Sequence, residues 1–152
     1  MRKTDLAYVA GIVDGEGSIS IIAQKTSKNR FGHTFFVQVS VANTNEWLVR
    51  QLQMFFGGSV YYNKRKVERG EGNWKPVYKW QIDTNGAVQF LVAILPYLKL
   101  KKAQAEIVIS FQDRRNKRPK NHKLMPKTEG EHAIEEAEQL LVHTMNKRGI
   151  RS

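Results

Sequence analysis

Val9-Ala10-Gly11-Ile12-Val13-Asp14-Gly15-Glu16-Gly17 runs without a break into Ser18-Ile19-Ser20-Ile21-Ile22-Ala23-Gln24-Lys25-Thr26, and the period of the chain changes between the two. Upstream, Ala7, Ala10, Gly11 and Asp14 recur at helical spacing and gather small side chains on one face, where a second helix can approach closely. Thr4 before Asp5-Leu6 reads as the N-cap, and the helix is expected to reach about Val13 before Gly15 and Gly17 end it. Downstream, Ile19, Ile21 and Ala23 alternate with Ser18, Ser20, Ile22, Gln24 and Thr26, a period of two that makes a strand. Gly15 and Gly17 flank Glu16, so the junction is expected to hold one carboxylate at the tip of a turn. Asp14 is placed to bond nearby backbone amides. Glu16 has no lysine partner beside it, and an acid on a basic surface suits a divalent cation that bridges carboxylate to phosphate. The plain alternative is a helix-ending turn.

Working outward, Lys25 to Gly32 is a polar turn carrying Lys28 and Arg30. The strand that follows points Phe35, Val37, Val39 and Val41 inward and Thr34, Phe36, Gln38 and Ser40 outward. Asn43-Thr44-Asn45 caps a second helix with Trp47, Leu48, Leu52 and Phe55 on one stripe, stopped by Gly57-Gly58. Residues 60–66 and 77–83 form a second hairpin around a turn at 70–73, with Tyr78, Trp80 and Ile82 inward. A helix over 87–95 ends at Pro96, and another over 101–115 sets Ala105, Val108, Ile109 and Gln112 in register. Residues 114–127 form a basic, proline-punctuated loop that either follows a DNA backbone or is a plain linker. A last amphipathic helix carries Ala133, Ile134, Ala137, Leu140 and Leu141 at helical spacing. The order is αββαββα with C-terminal helices, an α+β class built on an antiparallel sheet.

With 152 residues, one domain is expected, its core at about 5–112 and the basic loop and last helix at 113–152. Lys+Arg 25 against Asp+Glu 14 gives +11, which points to a polyanionic partner, nucleic acid before an anionic membrane. Zero cysteines exclude disulfides, zinc fingers, iron–sulfur clusters and thiol catalysis, so oxygen or imidazole must hold any metal. The apolar run 90–95 is far short of a membrane span, and Asp5 and Asp14 bracket 6–13 too closely for a signal peptide. An intracellular protein is expected, cytoplasmic, organellar or nuclear according to host.

The outward residues of the strands are hydrogen-bonding groups: Ser18, Ser20, Gln24, Thr26, Thr34, Gln38 and Ser40, then Asn63, Arg65, Lys75, Lys79 and Gln81, with Ile22, Phe36 and Tyr61 among them. A twisted antiparallel ribbon enters a major groove, where such groups meet base edges and phosphates. An ordinary solvated face has the same alternation. The charge of the chain and the scarcity of outward acids favour DNA.

Val9 to Gly17 resembles the LAGLIDADG motif of homing endonucleases. Ser18-Ile19 opening a strand, Asn43-Thr44 before a helix, Phe56-Gly57-Gly58 and Leu95-Pro96-Tyr97-Leu98-Lys99-Leu100-Lys101-Lys102-Ala103-Gln104 look like further landmarks of that family, over about 5–112. The resemblance implies a saddle-shaped sheet on double-stranded DNA and a double-strand break with short 3′ overhangs. One copy of the motif implies a homodimer, with Ala7, Ala10, Gly11 and Asp14 at the two-fold axis and a pseudo-palindromic target. It also implies Glu16 as the acid that binds the catalytic Mg²⁺, helped by the Gly15 carbonyl, with Mn²⁺ as a substitute and Ca²⁺ supporting binding without cleavage. Lys101 matches the lysine near the scissile phosphate. Asn43 matches the polar residue that orients water or ion, with Asn45 as the alternative.

Val9 stands where the family has its leading leucine, and Glu16 where aspartate is commoner. His33, His122, His132 and His143 have no metal-ligand spacing, and Trp74 reads as a loop anchor in preference to a stacking side chain. An intron-encoded, Mg²⁺-dependent DNA endonuclease is the leading function. The alternatives are an RNA-binding intron maturase and a non-catalytic DNA-binding regulator; Glu16 and Lys101 argue against the last.

Overall fold

The computed structural model describes residues 1–63, 75–119 and 126–148. Lys66, the turn at 70–73, Arg65 and Trp74 lie outside the described residues, as does His122. The elements are α1 (Lys3–Glu16), β1 (Gly17–Lys25), β2 (His33–Asn43), α2 (Glu46–Phe56), β3 (Ser59–Asn63), β4 (Val77–Asp83), α3 (Thr84–Ile94), a 3₁₀ turn (Leu95–Tyr97), α4 (Lys102–Asn116) and α5 (Glu129–Arg148). The strands form one antiparallel sheet in the order β1-β2-β4-β3. The α+β class with four antiparallel strands is as the sequence predicts.

One face of the sheet is core. Ile19, Ile21, Phe35, Val37, Val39, Val41, Trp80 and Ile82 are buried under Val9, Ala10 and Val13 of α1, Val49 and Leu52 of α2, and Phe90, Leu91 and Ile94 of α3. Trp80 anchors the middle: its ring meets Phe90 edge-on at 5.0 Å, and its Nε1 donates to the Gly57 carbonyl at 2.8 Å. Gly58, at φ +86°, passes so close to β4 that a Cβ would stand 2.5 Å from the Gln81 carbonyl oxygen. Glycine is therefore required where α2 turns into β3.

Four sequence expectations change. α1 starts one residue before Thr4, with Arg2 at its N-cap, and continues through Gly15 to Glu16. Gly15 therefore does not end the helix; the chain passes straight from helix to strand because Gly17 has no Cβ, which would sit 2.8 Å from the Val13 backbone. Ala23 is exposed, since the core has ended by that point of β1. On α2 the buried residues are Val49 and Leu52, whereas Trp47 and Phe55 are 65% and 57% exposed. α5 inverts its expected face: Ile134, Leu140 and Leu141 stand exposed, while Glu135 and Val142 are buried.

α5 packs along β1 and α4. Asn146 donates from Nδ2 to the Ile19 carbonyl at 2.9 Å, so α5 covers the open edge of the sheet. Its inner face is acidic because the surface it meets is basic. Glu135 accepts from Arg118 at 2.7 Å and from Lys127, and Glu138 accepts from Arg114. Arg114 at the end of α4, with Arg118 and Lys127 of the predicted basic loop, is thus tied to α5. No helix among the described residues is long and apolar enough to cross a membrane.

Candidate nuclease site and nucleic-acid interface

The register of the sheet builds the site. Gly17 opens β1 opposite Val41, so Glu16 arrives beside the last residues of β2. There Asn43 donates from Nδ2 to Glu16 Oε2 at 2.5 Å, and its Oδ1 accepts from the Asn45 amide at 2.7 Å. The two bonds fix the orientation of the Asn43 amide. Asn45 is occupied elsewhere, its Oδ1 accepting from the Leu48 amide as the N-cap of α2. Of the two asparagines the sequence leaves open, Asn43 is the one that holds the acid.

Glu16 is exposed and lies at the C-terminal end of α1, where the carbonyls carry the negative end of the helix dipole. A carboxylate at that place attracts a cation rather than repelling it. The groove beside it, of about 610 Å³, is lined by Gly11, Gly15, Asn43, Tyr8 and Trp47 among others. The donor set is oxygen only, one carboxylate with the Gly15 carbonyl next to it, which fits a hard divalent ion that completes its shell with water and substrate phosphate. Among the described residues no group of three or more His, Asp or Glu side chains is assembled to hold a metal unaided.

Asp14 and Lys101 lock the helix behind this acid. The Asp14 carboxylate accepts from the amides of Lys99 (2.8 Å), Leu100 (3.1 Å) and Lys101 (3.0 Å). Lys101 returns the grip, its Nζ donating to the carbonyls of Val13 (2.9 Å) and Gly17 (2.5 Å). The lysine thus adds a second donor to the Val13 carbonyl, which already accepts from the Gly17 amide, and ties the end of α1 to the first carbonyl of β1. Its burial lowers the ammonium pKa from the ordinary lysine value, an effect the Asp14 charge partly opposes. Lys101 lines a cleft of about 350 Å³ with Asp14, Gly17, Ser18 and the α5 residues Met145 and Asn146. Glu16 lines the neighbouring groove instead, so the two residues share the α1–β1 junction but not one pocket. Nothing local in the sequence signals the arrival of Met145 and Asn146, because their separation from β1 in the chain exceeds a hundred residues.

The outward residues form one surface. Ser18, Ser20, Ile22 and Gln24 stand opposite Ser40, Gln38, Phe36 and Thr34, and Gln81 lies between Ser40 and Ser59. Tyr61 and Asn63 are exposed on β3 across from Lys79 and Val77, and Lys28, Arg30 and Lys75 are exposed at the sheet's ends. Thr26 is half-buried, its hydroxyl accepting from the Lys28 amide. Of the small residues expected on one face of α1, Ala7 and Gly11 are exposed, joined by Tyr8 and Gly15. Ala10 is fully buried against the core, and the Asp14 carboxylate turns to its own chain, so neither side chain presents itself to a partner helix.

Residues 9–112 match the family model of the LAGLIDADG endonuclease. The chain belongs to that family. Among solved structures, this LAGLIDADG chain is similar to the homing endonuclease I-CvuI in complex with its target in the presence of Ca, at 20% identity and TM-score 0.71, over 93% of this chain and 82% of that one. It is also similar to the archaeal intron-encoded homing endonuclease I-Vdi141I complexed with DNA, at 15% identity and TM-score 0.64, over 98% and 86%. I-SmaMI bound to uncleaved DNA in the presence of calcium ions matches at 19% identity and TM-score 0.59, over 97% of this chain and 46% of that one. At these identities the likeness establishes the fold. No curated protein matches the sequence. Family membership sets endonuclease as the functional class.

Proposed function

We propose that this LAGLIDADG chain is an intron-encoded homing endonuclease that cuts both strands of a long pseudo-palindromic DNA site as a homodimer. The observation that carries the proposal is the Glu16 carboxylate, held exposed by Asn43 at the end of α1 and adjoining a polar sheet face. The exposed small residues Ala7, Gly11 and Gly15 let α1 of a second copy approach closely, bringing two Glu16 residues to one duplex. A Mg²⁺ ion bound there would supply water activation and neutralise phosphate charge, with Mn²⁺ as a substitute and Ca²⁺ supporting binding alone. That I-CvuI has been crystallised on DNA with Ca or with Mg is consistent with this donor chemistry.

In this mechanism Glu16 and the Gly15 carbonyl would hold the ion, and the Asn43 amide keeps the Glu16 carboxylate in place. Lys101 supplies a partly desolvated positive charge beside the α1–β1 junction, stabilising the charge that develops on the phosphate as water attacks and the 3′ oxygen leaves. The outward side chains Gln24, Gln38, Ser40, Lys79 and Gln81 read base edges and phosphates.

The test is to incubate the wild type and Glu16→Gln with a large genomic duplex library in Mg²⁺ or Ca²⁺ and sequence the new ends. Breaks at one long, partly two-fold site, abolished by chelation and absent in the variant, are expected. Selective retention of duplex without any breaks would instead assign a regulator. Binding to structured RNA in place of duplex would assign a maturase.

A further inference from the structure

The β1–β2 hairpin tip carries Lys28 and Arg30, both exposed, and a half-buried aromatic ring, Phe31, between Arg30 and Gly32. His132, in the first turns of α5, stacks on that ring with centroids 4.2 Å apart and planes 7° from parallel. The same imidazole meets the buried Phe35 of β2 at 5.3 Å. The Arg30 guanidinium lies over Phe31 at 4.8 Å from its centroid. Since the imidazole fills one face of the ring, the guanidinium takes the other. His132 Nδ1 is buried without a hydrogen-bond partner among the described residues, so stacking is what this side of the ring contributes.

The rest of the clasp is charged. Lys127 stands over Phe35 at 5.4 Å and pairs with buried Glu135, which also holds Arg118. Among the described residues the tip's other hydrogen bonds are internal to the hairpin: Thr26 N to Gly32 O, Gly32 N to Asn29 O, Lys28 N to the Thr26 hydroxyl, and the Asn29 side chain to the His33 carbonyl and Phe31 amide. β1 has nine residues at about 3.3 Å each, which puts the tip roughly 30 Å from Glu16, or about nine base pairs along a duplex.

We infer that His132 is a positioning residue which, through Phe31, fixes the Lys28–Arg30 hairpin tip on the outer flank of each DNA half-site, and that α5 thereby contributes to sequence discrimination it does not itself make. This rests on the DNA-endonuclease reading above. Freezing the tip before binding removes an ordering cost and limits which phosphates and bases Arg30 reaches.

The test compares His132→Ala and His132→Phe with wild type in two measurements. Amide hydrogen exchange of residues 26–32 in the DNA-free protein reports the clasp directly. Selection from a duplex library randomised separately at the outer and central positions, in Ca²⁺, reports discrimination. His132→Ala is expected to speed exchange at the tip at least tenfold. It should also flatten outer-position preference about tenfold while leaving central preference and the cleavage rate on saturating substrate in place; His132→Phe, which keeps a stacking ring, should restore both. Phe31→Ala, on the half-buried tip, gives the same comparison should His132→Ala fail to fold. Unchanged exchange, equal loss at central and outer positions, or no rescue by phenylalanine would overturn the inference. Wild-type protein that selects no duplex at all would instead overturn the endonuclease reading, a result distinct from any behaviour of the tip.

Discussion

α1 and α5, near the two ends of the chain, use amphipathicity in opposite senses. α1 buries Val9, Ala10 and Val13 and leaves Ala7, Tyr8, Gly11 and Gly15 exposed. α5 buries Glu135 beside Val142 and leaves Ile134, Leu140 and Leu141 half or more exposed. The difference follows from what each helix meets. α1 lies on an apolar sheet face and an apolar α3, so its branched side chains go in and its small ones are left to the surface. α5 reaches a core already closed by α4, whose last turn offers Arg114 and Arg115, with Arg118 just beyond, so a carboxylate makes the better inward contact. A helix turns inward whichever face complements its neighbour; an apolar stripe decides the matter only where the neighbour is apolar.

The largest effect expected at the α1 end is on chemistry. Glu16→Gln removes the carboxylate charge proposed to bind a metal there, and cleavage of the captured site should fall on the order of 10³-fold, about 4 kcal/mol, with DNA affinity in Ca²⁺ little changed. Undiminished cutting would assign the ion to other ligands. Asp14, two residues earlier, should show the reverse. Its carboxylate accepts three backbone amides, and Asp14→Ala leaves them without it, so urea unfolding should report a loss of about 3 kcal/mol. Two acids in one motif would then separate cleanly, one into activity and one into stability.

The α1–β1 junction is legible in the sequence because its determinants are local: a change of period from 3.6 to 2, a glycine where a Cβ cannot fit, and a carboxylate between permissive residues. The outward faces of β1, β2 and β4 are legible for the same reason, since alternation fixes sidedness once one strand is placed. What fails to show is whatever depends on a distant partner. That Ala10 belongs to the core while Ala7 and Gly11 do not depends on the rotation of α1 over the sheet, and small residues give that rotation little signature. That Glu16 and Lys101 face different clefts depends on Asp14 gripping the loop before α4, a contact across more than eighty residues. The inversion of α5 depends on arginines from another helix.

Lys101 supplies a pH test of the α1 lock. Its folded-state pKa is lowered by burial, so between that value and the ordinary lysine value the unfolded chain binds the extra proton and stability gains with rising pH. Lys101→Met should abolish this contribution to the slope of stability above neutral pH, at the expense of the ammonium's bonds to the Val13 and Gly17 carbonyls. A slope identical in wild type and variant would mean that another group carries it.

At the α5 end the expected effects run from moderate to nearly nothing, in an order opposite to hydrophobicity. Glu135→Ala leaves Arg118 and Lys127 facing each other without their shared carboxylate and should lower stability by about 2 kcal/mol, discounted from a fully buried pair because both cations keep some solvent. Leu141→Gln, at a position half exposed, should change stability by less than about 0.5 kcal/mol, although leucine is the more hydrophobic residue lost. Were Leu141→Gln to cost more than Glu135→Ala, the apolar stripe would be covered in solution, and its burial would have to come from contacts beyond this single chain. Equal, small effects at both positions would instead mean that α5 is held mainly by Val142 and by the Asn146 bond to the edge of β1, with the buried carboxylate contributing specificity of docking rather than strength.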